Sequence, residues 1–571
     1  MKINDVEKIT GLTQKAIRLY ESKGLVNIAR YENGYRNYSA ENVEELKNIK
    51  LLRSVGISLT DIKLYVFGVI TINELIDKRK AEILKESGKN SEKYRICESF
   101  LGKNPLEKID LGDFLELEEI RSRDYGSLAI GIDLGTTTIS AVVYDIENKE
   151  QLESFSLPHN SYVISQKKSE QSVDKIIEKS EKLLNHIIDS YKNIVSIGIS
   201  GQMHGIVYID NEQKPVSNLI NWQDKRADFI NENKKSACQE IFDITGEQIS
   251  TGYGIATHYY NLKNNLVPSG AVGFLSIMDY FAMKICGLKK NIAHASVCAS
   301  FGLFDAKNGC FKKEKLKLLG IEDSFLPTVT SESLVIGEFR KIAVSIPLGD
   351  NQASFLGSVT DNENSILVNM GTGSQVSAVG DYVEIDSDIE SRPFIEGKYL
   401  ICGSALCGGF AYSMLEEFFR SYTVSLGINE KSQYALMNKL AKEAFEKGEE
   451  GLMVDAYFCG KRSDPSLRGA IKMIDRYGFT PSALILGVLK GMCNELYELY
   501  ENVPNKKSYI VASGGAIKRT EILKSIVAQR FGASVTTSKI EEEAATGAAL
   551  FSAFSSKKIK YNDGFDRYIG E

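Results

Sequence analysis

The stretch Leu128 to Asp145, LAIGIDLGTTTISAVVYD, sets two apolar runs on either side of Asp133-Leu-Gly-Thr-Thr-Thr138. It reads as a buried strand, a tight turn permitted by Gly135 and a second strand. The turn can face a phosphate chain, because its backbone N–H groups and the hydroxyls of Thr136, Thr137 and Thr138 are donors for an anion. Asp133, at the strand end, is placed to hold a magnesium ion through water. An ordinary polar hairpin has the same pattern, so partners elsewhere must decide. One is an echo: Val368-Asn-Met-Gly-Thr-Gly373 repeats the strand ending in Gly-Thr. Two such units predict two related domains, each giving one phosphate loop.

Positioning these loops takes a body of alternating strands and helices. From Leu128 onward, apolar strands such as Ser196–Ser200, Ser365–Asn369 and Ser508–Ala512 end at small or Gly-rich residues, which predicts an α/β fold. A chain of 571 residues is too long for one core, so three or more domains are expected. With 43% hydrophobic and 25% charged residues it belongs among soluble globular proteins. No apolar run is long enough to span a bilayer, and MKINDVEKITGL lacks a signal-peptide core, so a cytoplasmic protein with no membrane partner is expected. Nine scattered cysteines, with no Cys-x-x-Cys pair and no zinc-like His spacing, read as reduced thiols.

Charge is uneven along the chain. Residues 1 to 80 hold fourteen Lys/Arg against ten Asp/Glu, or +4, leaving 55 against 65, or −10, for the rest of a chain whose net is −6. A basic head on an acidic body points to a nucleic-acid-binding module. Within the head, Ile3–Ile9 reads as a helix, Thr10-Gly-Leu12 as a turn and Thr13 as the N-cap of a second helix. Asn33-Gly34 between aromatic flanks predicts a hairpin wing, and Ser39 caps a helix carrying Val43, Leu46, Ile49 and Leu52. The order TGLTQKAIRLYESKGLV, ENGYRNYS, LLRSVGISLTDIK resembles the DNA-binding domain of the mercury-resistance regulator (MerR) family. The resemblance implies a winged helix-turn-helix with Thr13 opening the recognition helix, that helix in the major groove of operator DNA, and Arg18, Tyr20, Arg36 and Tyr38 on phosphates. It also implies a homodimer formed through a following helix, for which Thr71–Phe100 is helical in character, with Leu101–Gly126 as a linker. The alternative bland reading makes Tyr20 and Tyr38 core and the arginines solvated surface.

Six further segments, DLGTTT (Asp133 to Thr138), GQMHG (Gly201 to Gly205), NWQDKR (Asn221 to Arg226), GDNQAS (Gly349 to Ser354), GTG (Gly371 to Gly373) and SGGAIKR (Ser513 to Arg519), together resemble the FGGY carbohydrate kinases over about Leu128 to Phe554. CASFGLFD, GKRSDPSLRGAI, FTPSALILGVLKGMCNELYELY and EEAATGAALF look most like the sedoheptulokinase branch, with the xylulokinase branch second. The resemblance implies two actin-like (ribonuclease H-like) domains closing over a cleft, ATP with Mg2+, and a ketose acceptor. The expected domains are 1–70 (head), 71–127 (dimerisation helix and linker), 128–360 (sugar-binding), 361–556 (nucleotide-binding) and a 557–571 tail.

Phosphoryl transfer to a sugar hydroxyl needs a carboxylate to take the proton, donors and metal to neutralise charge, and closure to align the reactants. Asp350 is expected as general base. Gln202, Met203, His204, Trp222, Asp224, Arg226, Asn351 and Gln352 are expected around the sugar, His204 bonding hydroxyls and Trp222 offering a flat apolar face. Asp133, Gly135, Thr136, Thr137, Thr138, Gly371, Thr372, Gly373, Gly514 and Gly515 are expected at the nucleotide, with Asp133 also at the metal. In isolation Asp350 would start a turn, and His204 and Trp222 would be core. Two departures stand out: Ser140 occupies a position often basic in the family, and an Asn near Gly515 or Ala516 is missing. They favour a rival reading, a sugar-sensing transcription factor with little turnover, while the retained Asp133 and Asp350 oppose it. In a third reading the head only dimerises a metabolic enzyme; Arg18 and Arg36 oppose that.

Overall fold

The structure, a computed structural model, describes residues 1 to 559 apart from 24, 31–35, 55, 67, 88–124, 164–168, 233, 372, 385–387, 429–431, 462, 465, 504–506, 539 and 541. The Asn33-Gly34 turn, the dimerisation helix beyond Ser87, the linker up to residue 124, Thr372 and residues 560–571 of the tail fall outside the described residues.

The head is α1 (Ile3–Thr10), α2 (Gln14–Ser22), the antiparallel pair β1 (Ala29–Arg30) and β2 (Arg36–Asn37), then α3 (Ala40–Ser54), α4 (Leu59–Val66) and α5 (Ile72–Ser87). Its boundaries follow local chemistry. Gly11 at φ 64° ends α1, and the Thr13 hydroxyl accepts from Ala16 N at 3.2 Å to open α2. Val6, Ile17, Leu46, Ile49, Leu52 and Ile62 fill the core between the helices.

The body contains two six-stranded sheets. The first orders β3 (Leu128–Leu134), β4 (Thr138–Asp145), β5 (Glu150–Pro158), β6 (Ile194–Gly201), β7 (Val335–Phe339) and β8 (Ile342–Ser345) as β7-β8-β6-β3-β4-β5, with helix α6 (Val173–Ser190) on the chain between β5 and β6. Helix α7 (Asp350–Ser358) leads out of this lobe. The second sheet comprises β9 (Ser365–Met370), β10 (Ser374–Gly380), β11 (Ile389–Pro393), β12 (Tyr399–Ala405), β13 (Tyr509–Ser513) and β14 (Val535–Thr537), ordered β11-β12-β10-β9-β13-β14. Three antiparallel strands followed by two parallel ones recur in the same spatial order, 3-2-1-4-5, in both lobes. The faint Gly-Thr echo therefore marks equivalent first hairpins, β3–β4 and β9–β10.

A last helix, α8 (Glu543–Ser555), joins the lobes. Although it follows β14 in the chain, it packs on the first sheet so tightly that a Cβ on Gly131 would lie 1.7 Å from Ala545 O and one on Gly198 1.8 Å from Ala548 O. It also crosses α7, where Gly357 and Gly547 each leave room for the other helix's backbone. The buried cluster at this crossing draws Ala129 and Ala353 from one lobe and Leu367 and Val511 from the other.

Candidate active site and DNA-facing surface

The first hairpin is held by four side chains from elsewhere in the lobe. Gly135 O accepts from Gln202 Nε2 at 3.3 Å and lies 3.2 Å from His159 Nε2, Thr136 O accepts from Gln171 Nε2 at 2.7 Å, and the Trp222 indole donates to Thr136 Oγ1 at 2.9 Å. Thr137 is exposed at the tip, with Thr136 and Thr138 half-buried beside it. Gly135 makes the tight turn without a left-handed backbone; a Cβ there would meet Thr138 O at 3.0 Å, so close approach is what limits the position.

Asp133 ends β3, and Asp350 stands at the first position of α7, where free helix N–H groups favour negative charge. Each has a buried Oδ1 with no hydrogen-bond partner. Burial, and then the charge of Asp350, push the Asp133 carboxyl up to about 7. Burial likewise pushes Asp350 up to about 6, against the opposing charge of Arg392. Two orphaned carboxylate oxygens in one field fit a divalent cation. Magnesium is such a cation, since it takes one or two carboxylates and fills its shell with phosphate and water.

On the sugar side, His204 has φ 70°, a conformation rare for a residue with a side chain. Ser300 fixes it: Oγ accepts from His204 N at 3.0 Å and its carbonyl lies 2.7 Å from Nδ1, which therefore carries the proton. The imidazole stacks on Tyr253 at 4.4 Å. Trp222 is 45% exposed, and Gly252, at φ 82°, lets the chain pass over its carbonyl. Met203 is buried under the start of α7, with Asn351 Nδ2 3.8 Å from its sulfur.

Three expected sugar contacts are placed differently. Asp224 and Arg226 are buried and closed on themselves: Arg226 bonds Asp224 at 2.8 Å, Glu170 at 2.7 Å and Asn261 at 3.0 Å, and Asp224 also accepts from Ser169 N. A buried charge is retained only when paired, so this pair braces the pocket from beneath. Gln352 is fully buried and donates to Pro393 O at 2.9 Å, tying α7 to the second lobe.

In the second lobe, Gly371 O accepts from Gly409 N at 2.9 Å, and Gly514, at φ 93°, passes within reach of Met370 O. Gly371 borders a cavity of about 460 Å³ lined by Tyr434, Asn438, Ala516 and Arg519, adjacent to Gly515. Gly373 borders another of about 380 Å³ that reaches Asn351 and Ser354 of the first lobe. Gly371 thus borders a base-sized hollow and Gly373 the cleft beside Asp350.

Several contributors carried no sequence signal. Asn438, which lines the larger cavity where the expected Asn near Ala516 is missing, receives the Tyr412 hydroxyl at 2.8 Å and donates to Arg519 O at 3.2 Å. Arg392, paired with Glu390 at 2.9 Å, brings a cation from the second lobe toward Asp350. Ser140 is buried, its hydroxyl 3.5 Å from Ser156 Oγ.

In the head, Arg18 and Lys15 are exposed on α2. Tyr20 and Tyr38 are not on that surface: their rings lie in the core, 8% and 1% exposed, in the same buried cluster as Val6 and Ile17. Arg36 is held by Glu21 at 2.6 Å.

Residues 128–367 match the N-terminal domain of the FGGY family of carbohydrate kinases, and residues 1–66 match the MerR HTH family regulatory protein. The chain is 24% identical over 471 residues to sedoheptulokinase of Mus musculus, covering 74% of this chain and 96% of that one. It is 25% identical over 452 residues to xylulose kinase of Staphylococcus xylosus, covering 74% and 90%. Its fold is that of Plasmodium falciparum glycerol kinase with ADP, at a TM-score of 0.63 and 17% identity, covering 78% of this chain and 93% of that structure. No described helix is long and apolar enough to cross a membrane. Body and head together thus resemble an FGGY carbohydrate kinase carrying a MerR-type helix-turn-helix domain at its N-terminus.

Proposed function

We propose that the body transfers the γ-phosphoryl group of ATP to a ketose hydroxyl, sedoheptulose to its 7-phosphate above all and xylulose second, and that the head binds operator DNA as a homodimer. The observation that carries the kinase reading is the pair of orphaned Asp133 and Asp350 oxygens between two glycine-bounded phosphate hairpins. ATP is supported by the glycerol kinase neighbour, whose structure is one with ADP, and by the hollow beside Gly371. Asp350 takes the proton of the attacking hydroxyl, the Gly135–Thr138 and Gly371–Gly373 backbones orient the phosphates, and His204, Asn351 and Trp222 orient the sugar. Magnesium, held by Asp133, would neutralise charge on the transferred group. The sedoheptulokinase relative supports the heptulose, and a xylulose kinase of similar identity keeps the pentulose second. ADP release with magnesium-ATP and sedoheptulose, D-xylulose or gluconate tests this. A kcat/KM highest for sedoheptulose is expected, and no release with any of them would leave the ligand-sensing reading.

Arg18, with Lys15, is an exposed cation on the recognition helix. Arg18→Ala is expected to weaken binding to all duplexes and to lower the slope of log affinity against log salt by about one. Kinase turnover should not change. An unchanged slope removes Arg18 from the interface.

A further inference from the structure

The head is packed against the first lobe by charged contacts at the open edge of its sheet. Lys78 of α5 donates to Ser156 O on the edge strand β5 at 2.8 Å and to Asp61 of α4 at 2.6 Å. Lys63 of α4 lies 3.8 Å from Glu153, also on β5. Glu74, in the first turn of α5, pairs with Lys179 of α6. All these side chains are between 15% and 22% exposed, and apolar residues of head and lobe form one continuous buried cluster.

The Glu74–Lys179 pair differs from the others in what lies behind it. Lys179 Nζ also donates to Pro158 O at 2.8 Å, at the end of β5. Pro158 is the register partner of Thr138. The next residue, His159, donates its N–H to Thr137 O at 3.2 Å, and its Nε2 lies 3.2 Å from Gly135 O. Two residues on either side of one peptide bond therefore grip the phosphate hairpin from one side and the head, through Lys179, from the other. Glu74 is equally committed in its own helix: its second oxygen accepts from Thr71 N at 2.9 Å, closing the cap of α5. A displacement of the hairpin tip must be taken up by this bonded chain or break it.

We propose that the Glu74–Lys179 pair is the latch through which nucleotide phosphate at the Gly135–Thr138 hairpin biases the docking of the DNA-binding head. The proposal rests on reading that hairpin as a phosphate loop. Phosphate drawn onto the hairpin repositions Pro158–His159, and Lys179 carries that change to the start of α5. The reciprocal effect must exist, so a head held away from the lobe alters nucleotide affinity by the same factor, about 5- to 150-fold for ordinary couplings.

Hydrogen exchange of the full chain, with and without magnesium and the non-hydrolysable nucleotide AMP-PNP, tests the latch. Wild type is expected to show slowed exchange at Gly135–Thr138 together with a change of about fivefold or more in α5. In Glu74→Gln, which keeps an oxygen for the α5 cap, the hairpin should respond as before and α5 should not. Lys179→Met, altered on the lobe's side, should give the same result without touching the head's own helix. An α5 response equal to wild type in both variants overturns the latch, as does an α5 indifferent to nucleotide in wild type whose hairpin is protected. An unprotected hairpin is a distinguishable failure: it removes the phosphate reading and the latch with it.

Discussion

Asp350→Asn is expected to slow phosphoryl transfer by about a hundredfold to ten-thousandfold while the sugar still binds. The amide keeps the shape of the side chain at the start of α7 but cannot take the hydroxyl proton. Binding should survive because His204 is fixed by Ser300 and Trp222 by Thr136, neither of which touches Asp350 in the hydrogen-bond network. Steady-state turnover alongside calorimetric binding of the sugar separates the two, and near-normal turnover would remove Asp350 from the chemistry. The same role fixes the sign of the pH dependence. A base works unprotonated, so activity falls as pH drops through the Asp350 pKa, about 6 in the free protein and lower once magnesium adds positive charge. Arg392→Met removes the cation that opposes burial, so the acid limb of the kcat/KM profile should move to higher pH. An unmoved limb would mean that Arg392 serves the lobe interface alone.

Why the sequence revealed some of this site and hid the rest follows from where each contribution is encoded. Asp133 to Thr138 and Gly371 to Gly373 are local: strand, turn and donors lie within a few residues, so composition and spacing announce them. The head was legible for the same reason, with Thr13 capping α2 and Gly11 ending α1 where turn chemistry requires. Arg392, Asn438 and Tyr253 act only because distant strands and helices bring them to the cleft, and an isolated Arg or Asn carries no mark of that. Asp224 and Arg226 show the converse case. Their polarity suggested a ligand, but two residues apart they satisfy each other, and with Glu170 and Asn261 they leave little for a sugar. Tyr20 and Tyr38 were misplaced because an aromatic ring with one hydroxyl fits both a core and a phosphate contact, and burial chose the core. The first sheet's dependence on α8 was invisible, since nothing near Gly131 names a helix more than four hundred residues onward.

That dependence predicts the other large effect. Gly547→Val should destabilise the body by about 3 kcal/mol, at the upper end of ordinary overpacking penalties and more than the roughly 1 kcal/mol gained by replacing a helical glycine. A Cβ at Gly547 would sit 1.7 Å from Ala353 O, and the reciprocal Gly357 position is 1.7 Å from Glu543 O, so neither helix can turn aside without moving the other. Backbone, not a flexible side-chain tip, must give way. Because α7 begins at Asp350, the displacement reaches the cleft, and the protein that remains folded should also turn over more slowly. Gly246→Ala is the control: it carries the same kind of added carbon in a left-handed C-cap, φ 72°, with nothing within 4 Å, and should cost only backbone strain of about 1 kcal/mol and leave kcat intact. Urea midpoints and kcat for both variants decide the matter. Equal, small losses of stability with unchanged turnover would mean that α7 and α8 can part without cost, and that the lobes are joined elsewhere.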